Sequence, residues 1–170
     1  MNRRSLTDRF RDFLLNAAAA GGAVCIVAVV CAVLFNITLV LFKTGSMAPG
    51  IPAGSVAVVR EIPATEVSTG DVVTVDRPGK LPITHRVQTV EPAGGATRTI
   101  TMKGDANQEA DPAPYQVDRV RLVLWSAPGL AQPLVAAANP IVLGGTTVAV
   151  SALVTWVLWP QRKAGQHVAA

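Results

Sequence analysis

Apolar residues are gathered into two long uncharged runs, one toward each end of the 170-residue chain. The first covers residues 13–42 and the second covers residues 140–159. An α-helix needs about 20 predominantly apolar residues to cross a bilayer. We therefore predict transmembrane helices at residues 16–42 and 140–159. For the second run, a helix buried in a soluble core is the alternative.

Both ends of the second run carry signals of such a helix. Asn139 can cap its N-terminus, and Pro140 suits the first turn, where its missing N–H is not needed. Trp156 and Trp159 lie near the other end, and tryptophan is enriched where a spanning helix meets the membrane interface. These signals favour the transmembrane interpretation.

Between the two runs, short β-branched stretches alternate with proline and glycine. The stretches are residues 55–60, 71–76, 83–90, 98–102 and 116–125. Short strands separated by turn residues are typical of an all-β domain. The predicted fold is therefore mainly β, a small all-β domain flanked by an N-terminal and a C-terminal transmembrane helix. The other predicted segments are a basic lead (1–15), the β domain (43–125), a connector (126–139) and a tail (160–170).

The net charge of +4 comes from the two ends of the chain. Residues 1–42 contain four arginines against two aspartates, residues 43–133 contain nine basic and nine acidic residues, and residues 134–170 contain only Arg162 and Lys163. A nucleic-acid-binding domain concentrates its positive charge on the folded domain, so we expect no nucleic-acid partner. Basic residues beside apolar spans mark the cytoplasmic side. We expect a multi-pass protein of the cell membrane with both termini cytoplasmic and the β domain extracytoplasmic.

Cys25 and Cys31 both fall in the first apolar run, where they are expected to be small apolar side chains. Six residues apart on a helix they face different directions, so we expect no disulfide between them. The chain has no cluster of histidine and cysteine of the kind that binds zinc. We therefore expect neither a metal nor a cofactor.

Ser46 follows the first apolar run closely, and a serine there could act on substrates at the membrane surface. A serine hydroxyl becomes a good nucleophile only when a neighbouring base takes its proton. Of the two histidines, His167 lies in the polar tail. His85 lies in a predicted strand on the same face as two apolar residues, where a histidine can be a core residue or a base.

A carboxylate can orient such a histidine and stabilise its charged form. Asp105 and Asp111 follow His85 in the chain, and their spacing does not decide which of them faces it. Both also suit a turn between two strands. Lys80 and Lys103 are alternative bases, but both lie beside predicted turns, and a lysine must be desolvated to act as a base at neutral pH.

Residues 44–49, 84–87 and 103–111 form three motifs that resemble those of the type I signal peptidases. Residues 44–49, Thr-Gly-Ser-Met-Ala-Pro, resemble the nucleophile box of this family. Residues 84–87, Thr-His-Arg-Val, resemble the base box of its endoplasmic-reticulum and archaeal branch, which has histidine where the usual bacterial branch has lysine. Residues 103–111 resemble the Gly-Asp-Asn box and the acid that follows it. The three motifs occur in the family's order, after a membrane anchor.

The resemblance implies a signal-peptidase-like β domain that cleaves signal peptides from exported preproteins, with small residues before the cut. By this resemblance Ser46 attacks the scissile carbonyl, and His85 is the general base and then the acid. Asp111 matches the third catalytic role, and Asp105 matches a second acid that supports the site. Thr44 and the backbone N–H of Ser46 would form the oxyanion hole.

Two other functions are compatible with the same sequence. A non-catalytic, doubly anchored β scaffold or assembly module predicts that Ser46 and His85 do not approach each other. A specialised peptidase would process one or a few secreted proteins. The expected partners of the enzyme are preprotein signal peptides and the lipid bilayer, and the sequence indicates no oligomeric state.

Overall fold

The computed structural model describes residues 6–159, apart from the side chains of residues 6–8 and 158. His167 and the predicted tail at 160–170 lie outside this range, as do the first five residues of the basic lead. Within it, a mainly antiparallel β-sheet is preceded by a long apolar helix and followed by two helices. This order agrees with the predicted fold class.

The first helix, α1, spans Leu6–Leu34 and therefore ends eight residues before the predicted boundary at residue 42. Asn36 has a φ of 51°, the left-handed conformation that commonly ends a helix. Strand β1 follows at Ile37–Leu41, where β-branched residues favour an extended chain. The predicted 16–42 helix was wrong at this end, because one apolar run encodes both a helix and a strand.

The shorter helix changes the distance between its end and Ser46. Ser46 lies twelve positions after Leu34. An extended chain covers at most ~3.3–3.6 Å per residue, so its reach is roughly 40 Å.

The seven strands form one sheet in the order β1-β2-β7-β3-β4-β5-β6. All their pairings are antiparallel. After β1, the strands are β2 (Val56–Pro63), β3 (Val72–Arg77), β4 (Lys80–Gly94), β5 (Thr97–Lys103), β6 (Tyr115–Val117) and β7 (Arg119–Ala127). The five stretches predicted as strands all lie in this sheet, but the last of them divides into β6 and β7, and β1 was missed.

Two hydrophobic clusters stabilise the sheet. The inner cluster comprises Ile62, Val67, Val73, Val75, Val87, Ile100, Met102 and Val120. The outer cluster comprises Phe42, Met47, Ile51, Ala57 and Val59. Successive strand residues point to opposite faces, and Val72 packs against the outer cluster while Val73 belongs to the inner one. The clusters therefore lie on opposite faces of β3.

The predicted connector at 126–139 contains the end of β7 and a short helix, α2 (Ala131–Ala137). Helix α3 follows at Pro140–Leu158. The backbone N–H of Ile141 donates to Asn139 Oδ1 at 2.9 Å, so the predicted cap is confirmed. Among the described residues, α1 (from Arg9) and α3 are, by length and composition, the two candidates to span a membrane.

Candidate active site

Ser46 lies in a tight turn between β1 and β2. The turn is closed by backbone hydrogen bonds from Ala48 N to Gly45 O (2.9 Å) and from Ile51 N to Met47 O (2.8 Å). Met47, the next residue, is fully buried in the outer cluster. Burial of this side chain anchors the turn to the sheet and leaves Ser46 half-buried beside it.

His85 lies on β4 and is only 5% exposed. Its Nε2 is 3.2 Å from Ser46 Oγ, although the two residues are 39 positions apart in the chain. Its Nδ1 is 2.7 Å from Asp111 Oδ1. A serine, an imidazole and a carboxylate are therefore connected in series, within the distances expected for hydrogen bonds.

Asp111, and not Asp105, is the acid in contact with His85. Its backbone N–H donates to Met102 O at 2.9 Å, which ties the loop after β5 to the end of that strand. Its second oxygen, Oδ2, accepts a hydrogen bond of 3.0 Å from the Tyr115 hydroxyl. The Asp111 side chain is 5% exposed, and a buried carboxylate needs such partners.

Asp105 instead pairs with Arg86, the residue after His85. Arg86 Nε donates to Asp105 Oδ1 at 2.8 Å and Nη2 donates to Oδ2 at 2.7 Å. Arg86 Nη1 also donates to Gly70 O at 2.7 Å. The hydrogen bonds to Asp105, and the attraction between the two charges, raise the pKa of Arg86 above its usual value, against a smaller effect of burial. This bidentate ion pair links the loop after β5 to strand β4, at the residue next to His85.

Gly104 allows that loop to approach the serine. A Cβ at this position would lie 2.7 Å from the Ser46 carbonyl oxygen, closer than real Cβ contacts allow. The same carbonyl accepts a hydrogen bond of 2.9 Å from Ala106 N. A glycine is therefore needed where the loop after β5 contacts the turn of Ser46.

A cleft of about 640 Å³ opens beside Ser46 and His85. Thr44 is exposed and lines it, as do residues of β1 and of the first part of β4. Lys80 and Lys103, the alternative bases, are not among the described residues that line this cleft.

Two strand edges border this cleft. β1 is the outermost strand and pairs with β2 alone. β4 pairs with β3 from Lys80, but its pairing with β5 begins only at Arg86. Strands paired on one side only have backbone groups available to an added extended peptide.

The arrangement has the parts that a serine hydrolase uses: a serine hydroxyl, a histidine within reach of it, and a carboxylate that orients the histidine. No family model matches the chain. The chain is 36% identical over 89 residues to Signal peptidase I W of Bacillus subtilis (strain 168). The match covers 52% of this chain and 46% of that protein, so the chain spans about half the length of this curated relative. The similarity supports a relationship to the type I signal peptidases.

Sequence reasoning missed three contributors to this site: Tyr115, Gly104 and the ion-pairing role of Arg86. Gly104 and Arg86 belong to the recognised motifs, but their contacts depend on how the loop after β5 meets the sheet. Tyr115 is the only tyrosine of the chain and lies four residues after Asp111. The presence of the chain's single tyrosine so close to a candidate catalytic acid is a weak sequence signal that could have identified it.

Proposed function

We propose that this protein is a membrane-anchored serine endopeptidase of the signal peptidase I type, which removes signal peptides from exported preproteins. The observation that carries the proposal is the series Ser46–His85–Asp111, with separations of 3.2 Å and 2.7 Å. Histidine as the base matches the endoplasmic-reticulum and archaeal branch of the family. A scaffold module predicts no approach between Ser46 and His85, so the short separation favours the enzyme.

The reaction begins with neutral His85, whose Nδ1–H donates a hydrogen bond to Asp111 Oδ1. His85 Nε2 accepts the Ser46 proton while Oγ attacks the scissile carbonyl carbon. The imidazolium, stabilised by Asp111, then gives the Nε2 proton to the leaving amine as the C–N bond breaks. Water attacks the resulting ester with His85 again as base, and the proton returns to Ser46 as the ester bond breaks.

The tetrahedral intermediate carries a negative oxygen that needs hydrogen-bond donors. We assign this role to the Ser46 backbone N–H and the Thr44 hydroxyl, because Thr44 matches the corresponding position of the nucleophile box and lines the cleft. Loss of one such donor typically lowers the rate about 100–1000-fold.

The substrate would bind as an extended segment along the two strand edges that border the cleft. Main-chain hydrogen bonds to β1 and to the first part of β4 would give affinity for any sequence. Selection for small residues before the cut follows from the family resemblance.

The proposed topology places residues 1–15 and 160–170 in the cytoplasm and the β domain on the exported side. The basic residues near both ends support this orientation. The apolar part of α1, from residue 16, and α3 would be the two spans, with Ser46 on the exported side.

The decisive experiment compares cleavage of a preprotein by purified wild type, Ser46→Ala and His85→Ala in detergent. Both variants should lose cleavage, and Ser46→Ala, at the half-buried serine, should retain the thermal unfolding of the wild type. Ser68→Ala, a change at an exposed serine of another loop, is the matched control and should cleave normally. Equal cleavage by wild type and Ser46→Ala would remove the peptidase from consideration and favour the scaffold.

A further inference from the structure

The two oxygens of the Asp111 carboxylate have different partners. Oδ1 is 2.7 Å from His85 Nδ1, and Oδ2 accepts from the Tyr115 hydroxyl at 3.0 Å. The series that starts at Ser46 therefore extends by one more residue, and its last member is on a different strand.

The position of the Tyr115 hydroxyl is set by the packing of its ring. Tyr115 is the first residue of β6, pairs with Ile100 of β5, and packs against the inner hydrophobic cluster. A ring held in this way has little freedom to move its hydroxyl. The donor to Asp111 is thus attached to the body of the sheet and not to the loop that carries the aspartate.

We propose that Tyr115 is a positioning residue of the candidate active site, whose hydroxyl holds the Asp111 carboxylate in the orientation that meets His85. The proposal rests on the proposed function. The terminal torsion of an aspartate is broad, so a single hydrogen bond leaves the carboxylate plane poorly defined. One donor at each oxygen, in a site nearly closed to water, restricts that rotation.

Two charged groups act on Tyr115: Asp111, through the hydrogen bond and its charge, and Arg77, through its charge alone. His85 contacts the other oxygen of Asp111. Burial raises the pKa of Tyr115 above its usual value, the hydrogen bond and negative charge of Asp111 raise it further, and the positive charge of Arg77 lowers it. The hydroxyl therefore keeps its proton, and its role as donor, throughout the neutral range.

The kinetic test is Tyr115→Phe, which keeps the ring and removes only the hydroxyl. We expect kcat to fall about tenfold with KM little changed, because the imidazolium is less well stabilised when the carboxylate rotates. The acid limb of the pH profile should move to lower pH for the same reason. Gln116→Ala, at the exposed neighbour on β6, should change neither quantity.

A fall in rate without movement of the acid limb would overturn the proposal, because a purely structural defect lowers the active fraction at every pH. Movement of the limb to higher pH would also overturn it. That result would mean that the Asp111 carboxylate keeps its orientation without Tyr115. Having lost a hydrogen-bond donor, it would then stabilise the His85 imidazolium more strongly, not less.

A spectroscopic test does not depend on activity, because the chain has a single tyrosine. Ultraviolet absorbance should show tyrosinate forming above the ordinary pKa of about 10. Asp111→Asn should lower the midpoint, whereas Arg77→Gln should raise it, since these neighbours act in opposite directions.

A midpoint that does not respond to Asp111→Asn would refute the contact, even if Ser46-dependent cleavage had been demonstrated. The opposite combination, a responsive midpoint without cleavage, would refute the proposed function and the catalytic purpose of the contact together.

Discussion

Gly104 and Ser46 approach so closely that a Cβ on residue 104 would lie 2.7 Å from the Ser46 carbonyl oxygen. The loop that carries Asp111 and the turn that carries the serine are thus in direct backbone contact. Ala106 N–H donates to the same carbonyl at 2.9 Å. The distance between the candidate nucleophile and the rest of the site therefore depends on a residue without a side chain.

Gly104→Ala is expected to damage this contact. The new methyl group has to push the loop away from Ser46, and overpacking of this kind costs about 1–3 kcal/mol. A displacement of about 1 Å at the site can lower the rate about 100-fold. Cleavage rate and thermal unfolding measure both effects. Gly50→Ala is the matched control, since its Cβ would meet only the Met47 carbonyl oxygen at an ordinary 3.8 Å. Equal behaviour of the two variants would contradict the steric argument.

The two aspartates, whose spacing alone did not show which of them faces His85, should differ in their effect on activity. Asp111→Asn removes the charge that orients His85, and we expect a loss of about 1000-fold or more in kcat. Asp105→Asn weakens a partly exposed pair with Arg86, so we expect less than about 1 kcal/mol of destabilisation and a rate within about tenfold of wild type. Steady-state cleavage and urea unfolding test both changes. Similar losses of rate in the two variants would argue against the assigned roles.

The raised pKa of Tyr115 predicts a dependence of stability on alkaline pH. A group whose pKa is higher in the folded state contributes stability that is complete below its unfolded value, about 10, and is lost as the pH rises through the folded value. Other groups titrate in this range, so the comparison is between wild type and Tyr115→Phe. The stability difference between them should shrink above about pH 10 in urea unfolding. A difference that stays constant from pH 8 to 11 would contradict the shift.

Met47 has no proposed role in the reaction, but we expect its side chain to contribute strongly to the stability of the folded protein. It is fully buried in the outer cluster, and truncation of a buried methionine to alanine typically costs about 2–5 kcal/mol. Met47→Ala should also lower cleavage, because the turn of Ser46 loses its anchor. Leu124→Ala, at a residue 47% exposed, should change unfolding by less than about 0.5 kcal/mol. Comparable effects of the two truncations would show that the turn is held by its backbone alone.

The proposed topology can be tested by thiol labelling in intact cells. Ala96→Cys places a thiol in the exposed turn between β4 and β5, in a background where Cys25 and Cys31 are replaced by alanine. A membrane-impermeant reagent should label it from the exported side without lysis. Labelling only after lysis would put the β domain in the cytoplasm and exclude signal-peptide removal on the exported side.

Local pattern in the sequence was sufficient to predict the second apolar helix with its Asn139 cap, the alternation of short strands, and Ser46 and His85 as candidates. These features depend on the period of apolar residues and on residue chemistry within a few positions. The same reasoning extended the first helix to residue 42, because an apolar edge strand and an apolar helix have the same composition.

Only the tertiary structure showed that Asp111, and not Asp105, contacts His85, that α1 ends at Leu34, and that Tyr115 belongs to the site. Asp111 is 26 positions from His85 and Ser46 is 39 positions from it, so their contacts arise from the register of the sheet and from the loop after β5. A one-residue change in register would turn each strand side chain to the opposite face. Sequence alone determined which groups were available, and long-range strand pairing, driven by burial of the two hydrophobic clusters, determined which of them meet.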